Sequence, residues 1–256
     1  KKKMENVTIP VPPLPVQHEI VRILDKFTEL THELTHELTH ELTLRKKQYA
    51  YYRDKLLTFE NDVEWKTLGE VSNISRGKRV VRKELSETGT YAVFQNSLKP
   101  LGYYDEYNCQ GDTTFIISAG AAGEIGYSYE NFWAADDCIF FTCKPELISR
   151  YLYHALMNQK TYIDSQVRRA SIPRLAREFI ENLIIPLPSL EVQRRIVNVL
   201  DKFEAVCNDL KIGLPAEINA RQKQYEYYRE KLLTFEKLRD NCRGSRIEDR
   251  GSRERA

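Results

Sequence analysis

Apolar residues recur every three or four positions near both ends of this chain. Ile20, Leu24, Phe27, Leu30, Leu34, Leu38 and Leu42 mark one run, and Ile196, Leu200, Phe203 and Leu210 mark the other. That spacing places each set on one stripe of a helix. A helix of about 44 residues would be about 66 Å long at 1.5 Å per residue, too long for a small domain to cover. Its stripe is therefore expected to pack on a second long helix. Each run is preceded by a proline-rich extended stretch, and Ser189 with Glu191 is the expected N-cap and first-turn acid of the second.

The two runs are copies. A shift of 176 positions lays Glu5–Glu60 on Glu181–Glu236 without a gap, with about half the positions identical. Ile9-Pro10-Val11-Pro12 returns as Ile185-Pro186-Leu187-Pro188, and Leu24-Asp25-Lys26-Phe27 as Leu200-Asp201-Lys202-Phe203. Tyr51-Tyr52-Arg53 returns as Tyr227-Tyr228-Arg229, and Lys55 to Glu60 as Lys231 to Glu236. One difference is mechanical. Gly213-Leu214-Pro215 should interrupt the second helix, because proline lacks a backbone donor and clashes with the preceding turn. The first copy has Glu37-Leu38-Thr39 there and can run unbroken.

Between the copies the pattern changes to short β-prone runs: Val80-Val81, Tyr91–Phe94, Thr113–Ile117 and Cys138–Thr142. Turn signals at Asn96, Gly102, Gly111, Gly120, Gly123 and Gly126 separate them, and a helical pattern follows at about Ile148–Gln166. This segment reads as a mixed α+β globule inserted between helices. The divisions are an extended lead-in at residues 1–15 and a first long helix at 16–60. A globular domain at 61–182, a second helical region at 183–236 and a disordered tail at 237–256 complete them. Net charge is only +2, so any polyanion must be met by local clusters. The five cysteines show no zinc-like or disulfide framework. With no signal peptide and no long apolar run, the chain is expected in a reducing cytoplasm, away from membranes.

Ile185-Pro186-Leu187-Pro188, Gly213 to Ile218, Lys223 to Arg229, and Val63 to Val71 together resemble the specificity (S) subunits of type I restriction–modification systems. The resemblance covers nearly everything from Glu5 to Glu236, with several independent phrases in the family's order. It implies an α+β fold: one globular mixed α/β target recognition domain flanked by two long helices forming an antiparallel coiled-coil hairpin. It implies a non-catalytic reader of one half of a bipartite site in double-stranded DNA. Methyltransferase (M) subunits and a restriction (R) subunit are the implied partners. No cofactor is expected in this chain; S-adenosylmethionine, ATP and Mg belong to the partner subunits. The order here, helix, one domain, helix, resembles the C-terminal portion of an S subunit or a half-size form. Two assemblies stay open. The helices of one chain pair together, which we favour, or two chains form a homodimer that reads a palindromic interrupted site.

Thr31-His32-Glu33-Leu34 recurs at 35–38 and 39–42. One unit adds about 6 Å and about 40° beyond a full turn to a helix. Against a rise of about 3.4 Å per base pair, that changes a half-site spacing by one to two base pairs, so Leu30, Leu34, Leu38 and Leu42 mark a spacer helix. The blander reading is a slipped repeat in a solvated helix. His32, His36 and His40 owe their spacing to the repeat, and no metal site is expected.

Inside the globular segment, Arg76, Lys78, Arg79, Arg82 and Lys83 put five positive charges in eight residues. Arg168, Arg169, Ser171 and Arg174 form a second group. Both suit phosphates, and arginine also bridges guanine. Gln95 and Asn96 are candidates for adenine edges, and Tyr103 and Tyr104 for sugar or base packing. Tyr51, Tyr52, Tyr227 and Tyr228, near the helix ends in both copies, are assigned to packing or to subunit docking. Against all of these stands the ordinary reading of a solvated charged face.

Two rival readings stand beside this one. Catalysis finds no P-loop, methyltransferase or nuclease motif. Gly120, Gly123 and Gly126 lack the context of a cofactor loop, and Asp136 and Asp137, if in a strand, would face opposite sides. A structural coiled-coil adaptor without DNA specificity explains the helices but leaves the inserted domain without a task.

Overall fold

The computed structural model describes residues 9–59, 63–81, 83, 85–208 and 213–235. Arg82, Leu210 and the tail at 237–256 lie outside them. The fold is mixed α+β with a long N-terminal helix, α1 (Leu14–Leu57). Two compact units are formed, Leu38–Glu217 and the residues on either side of it.

In the larger unit, β2 (Ser72–Arg76), β5 (Thr113–Ile117), β6 (Ile125–Ser128) and β8 (Cys138–Cys143) make an antiparallel sheet in the order β2-β8-β5-β6. A smaller sheet runs β4-β3-β7, from β3 (Tyr91–Phe94), β4 (Gly102–Tyr104) and β7 (Phe132–Ala134), with β3 and β7 parallel. β1 (Glu64–Thr67) pairs with β9 (Ile184–Leu187), so the chain enters and leaves the domain side by side. Pro186 is tolerated there because a two-stranded ribbon consists of edges alone.

The expected strands at 91–94, 113–117 and 138–142 are present, but Val80-Val81 is not a strand; Val80 is buried against Val93 and Ala135. The helical pattern at Ile148–Gln166 is two helices, α3 (Ser149–Asn158) and α4 (Lys160–Ser165), broken at Gln159. Gly120 and Gly123 have the positive φ of turn glycines, +85° and +90°. Gly102 and Gly126 instead lie within strands; a Cβ on Gly126 would come 2.3 Å from the Phe115 ring, so its bareness makes room for that core aromatic.

α3 packs on β5 and β6, and the principal core joins Tyr151, Leu152, Leu156 and Phe141 to Ile196 and Leu200 of α6 (Leu190–Asn208) and to Tyr49 and Leu57 of α1. The globule thus shares its core with helical segments from both repeats. α5 (Arg177–Glu181) precedes β9. α6 follows Ser189, whose hydroxyl accepts from Val192 N at 3.5 Å. The second helical region is interrupted as expected: α7 begins at Leu214, with Pro215 in the first turn where its missing N–H costs nothing.

In the smaller unit the start of α1 meets α7 (Leu214–Leu233). Phe27 and Tyr228 have ring centroids 5.4 Å apart, and the hydroxyls of Thr28 and Tyr225 lie 3.1 Å apart. Ile20 and Val21 line a cavity with Leu233 and Phe235, and Leu34 lines another with Arg221 and Gln224. Low numbers on one helix meet high numbers on the other, so these stretches run in opposite directions. The larger unit repeats the contact: Tyr52 stacks on Phe203 with centroids 5.2 Å apart. Under the 176-residue shift Phe27 becomes Phe203 and Tyr52 becomes Tyr228, so one aromatic pair occurs twice. Among the described residues no helix is long and apolar enough to cross a membrane.

Candidate nucleic-acid interface

β2 delivers Arg76 to one end of the main sheet, and the chain beyond it hugs the turn between β7 and β8. Gly77 N donates to Cys138 O and Lys78 N to Ala134 O, both at 2.9 Å. A Cβ on Gly77 would lie 2.2 Å from Ala135 O, so only glycine lets this basic segment pass so close. In the turn, Asp136 accepts from Arg76 Nε through its main-chain carbonyl and from Gln95 Nε2 through its carboxylate, the latter at 3.3 Å. Asp137 O accepts from Ser118 N and Oγ at 2.7 and 3.0 Å. The turn brings both aspartates to this end of the domain.

The second basic group arrives from Arg168 onward, 92 residues after Arg76. Arg168 and Arg174 exchange backbone hydrogen bonds of 2.9 and 3.1 Å, closing a loop. Leu175 N donates to Ser118 O at 2.8 Å, Gly120 N to Pro173 O at 3.1 Å, and Ala121 N to Asn96 O at 2.9 Å. The Arg76 segment, the Gln95 turn, the Ser118–Ala121 loop, the aspartate turn and the Arg168–Arg174 loop therefore meet at one edge. Arg76, Lys78, Arg79, Lys83, Asn96, Arg168, Arg169, Ser171 and Arg174 are exposed, and Gln95 is half-buried. Guanidinium, ammonium and amide groups so arranged can donate to phosphate oxygens and base edges.

The two tyrosines of β4 separate. Tyr103 stays outward, whereas Tyr104 is half-buried edge-on against Trp133, with centroids 5.1 Å apart. Trp133 Nε1 in turn donates to Lys78 O at 2.8 Å. Tyr104 is thus held against the domain's own Trp133, with part of its ring still accessible. The docking tyrosines also divide: Tyr52 and Tyr228 carry the repeated aromatic contact, while Tyr51 and Tyr227 are 60% and 58% exposed. Along the spacer the leucine face drifts, from Leu30 at 49% exposed to Leu38 at 8%. A four-residue repeat advances about 40° per unit, so it cannot hold one face.

Sequence reasoning missed a polar clamp between α3 and α6. Arg150 pairs with Asp201 at 2.8 Å and with Glu204, beneath the rings of Tyr127 and Tyr153, whose centroids lie 4.6 and 4.5 Å from its guanidinium. His154 Nε2 lies 2.7 Å from the same Asp201 oxygen, and Tyr49 Oη lies 3.4 Å from His154 Nδ1. Burial, then the Glu204 charge, pushes the Tyr49 hydroxyl up to about 12. Burial works to discharge Arg150, but the carboxylates of Glu204 and Asp201 outweigh it and hold the guanidinium charged. His154, Asp201 and Glu204 bring three ligand atoms within 4.8 Å of one another. Arg150 already supplies the countercharge there. The repeat carried a faint signal, since Glu204 stands where the first copy has Thr28.

Two solved structures share this mixed α+β fold. The S subunit of Mycoplasma genitalium matches with a TM-score of 0.66 at 21% identity, covering 88% of this chain and 62% of that one. A chain from a structure of the assembly and conformational transition of a type I restriction–modification system matches at 0.65, with 17% identity over 90% and 65%. The profile of the type I restriction modification DNA specificity domain matches residues 1–44 and 60–220. This chain belongs to that family.

A Haemophilus influenzae protein assigned as a type I restriction enzyme specificity subunit is 37% identical over 92% of this chain and 66% of its own length. The specificity subunit of an Escherichia coli type I restriction enzyme is 34% identical over 91% and 64%. A Mycoplasma pneumoniae protein assigned as a type I specificity subunit is 31% identical over 93% of this chain and 100% of its own length. The chain thus spans just under two thirds of the first two relatives and the whole of the third.

Proposed function

We propose that this chain reads one half of a bipartite site in double-stranded DNA within a type I restriction–modification assembly. The observation that carries the reading is the convergence of two basic segments and the Gln95-Asn96 turn at one edge of the recognition domain. The helices serve as an antiparallel coiled-coil rod, with the THEL repeats setting its length. Tyr51 and Tyr227 are exposed where methyltransferase subunits would dock. The chain is a non-catalytic reader, and the cofactors S-adenosylmethionine, ATP and Mg act in the M and R subunits.

Replacing Arg168, Arg169 and Arg174 together with alanine tests the interface. Each phosphate contact contributes about 0.9 to the slope of log affinity against log salt. The triple variant should lose about 2 to 3 from that slope while melting unchanged, because the loop is closed by backbone bonds. Equal affinity and slope in wild type and variant would favour a structural adaptor.

A second reading, that two copies pair to present two recognition domains, has its own support. Leu57 and Ile185 are 4% and 0% exposed in the larger unit, while their repeat partners Leu233 and Ile9 are 46% and 68% exposed. The end of the first copy and the start of the second are covered by the recognition domain, whereas the equivalent positions at the start of the first and the end of the second are bare. A dimeric mass in solution for the full chain is its expected signature.

A further inference from the structure

Gln95 is a glutamine whose orientation is dictated by its neighbour. A side-chain amide carries an acceptor and a donor of nearly equal shape, so its hydrogen-bond partners decide which way it faces. The partner here is the carboxylate of Asp136, which only accepts. Gln95 must therefore turn its nitrogen inward, where Nε2 donates to Asp136 Oδ1 at 3.3 Å. On this half-exposed side chain that leaves the oxygen and one N–H for another partner. One acceptor beside one donor complements adenine in the major groove, which offers an N6 donor and an N7 acceptor. Guanine offers two acceptors there and does not match.

Asp136 is well placed to hold this orientation. Its main-chain carbonyl is gripped by Arg76 Nε, its neighbour Asp137 is tied through its carbonyl to Ser118, and Ala135 N donates to Phe94 O at 2.8 Å, one residue before Gln95. The carboxylate thus sits on a turn pinned to the strand that carries the reader. We propose that Asp136 is a positioning residue that locks the Gln95 amide in the sense that reads adenine, and so helps to set one base pair of the target. The proposal rests on the reading of this edge as the DNA face.

The test is selection of bound duplexes from a randomised pool by the full chain, with and without methyltransferase subunits, followed by sequencing. Gln95→Ala should reduce the preference for adenine at one position by about 5- to 150-fold, the range of one bidentate contact. Asp136→Ala should relax that same position, because the freed amide can flip. The double variant should be no worse than either single one. Asp136→Asn, whose amide donates as well as accepts, should relax the position as alanine does, whereas Asp136→Glu, which keeps an acceptor-only carboxylate, should retain most of the preference. Arg76 grips the main chain of Asp136, so these side-chain changes leave that tie intact. Asp136→Ser serves in place of the alanine variant should the latter melt below the assay temperature.

If Gln95→Ala relaxes a position that the alanine or serine change at Asp136 leaves intact, the positioning role is wrong. If neither residue alters the selected sequence while the triple arginine variant still weakens binding, the edge is the DNA face but Gln95 is not a reader. If the arginine variant too binds as wild type, the failure lies in the underlying assignment of the face.

Discussion

Replacing Arg150 with alanine is expected to destabilise the 38–217 unit by about 3 kcal/mol, because it strands charges that the fold has partly removed from water. The side chain of Arg150 is 11% exposed, and those of its partners Asp201 and Glu204 are 32% and 18% exposed. Breaking a buried pair costs about 3–5 kcal/mol, and the residual hydration of Asp201 places this one at the low end. The tyrosine rings lose a stacked cation as well. Arg150→Lys should recover only part of the loss, since an ammonium cannot span two carboxylates and stack as a planar fork does. Urea unfolding at constant slope is the measurement. A loss below about 0.5 kcal/mol, typical of an exposed pair, would show that the clamp is ornamental.

The clamp also predicts a pH dependence. Burial raises the Asp201 carboxyl, but hydrogen bonds from His154 and Arg150 outweigh it and hold the group below its usual range. Its stabilising contribution is full above the unfolded carboxylate value of about 3.9 and is lost as pH falls through the lower folded value. Without Arg150 that loss should begin at higher pH, so the variant should unfold earlier on acidification.

Inserting one more THEL unit after Leu42 should lengthen α1 by about 6 Å. In the assembly that reads two half-sites, their separation should grow by one to two base pairs, at about 3.4 Å each, with both half-site sequences unchanged. Each lost base contact costs about 1–3 kcal/mol, so losing register at two positions weakens the original site by about 30-fold or more. Mapping methylated positions for chains with two, three and four units reads this directly. An unchanged separation would leave the repeat as a tolerated slip in an exposed helix.

Features repeated or local in the sequence were legible in it. The 176-residue self-match announced matching helical segments, and the twice-made contact of Phe27 with Tyr228 and Tyr52 with Phe203 is its physical echo. Pro215 marked the break before α7, and β5 and β8 stood out as apolar runs. What depends on distant partners was not legible. Val80 looked like part of a strand because β-branched residues favour both strands and cores, and its burial against Ala135 is tertiary. Gly126 read as a turn because its real neighbour, the ring of Phe115, is supplied by strand pairing. The candidate interface was half visible: both basic groups could be named, but not that the turn at Asp136 and Asp137 brings them to one edge. Of the Arg150 clamp only the change from Thr28 to Glu204 between the repeats showed in the sequence, since its tyrosines, arginine and carboxylates come from three separate stretches of chain.

We expect a division of labour, with the globular head choosing bases and the helices choosing distance. Exchange of residues 63–182 for the corresponding segment of the Mycoplasma pneumoniae relative, with both helical regions kept, tests it most directly. Sequencing of the sites modified by the resulting assembly should show a new half-site at the old spacing. A half-site that stays the same after the exchange, or a spacing that moves with the head, would contradict the account.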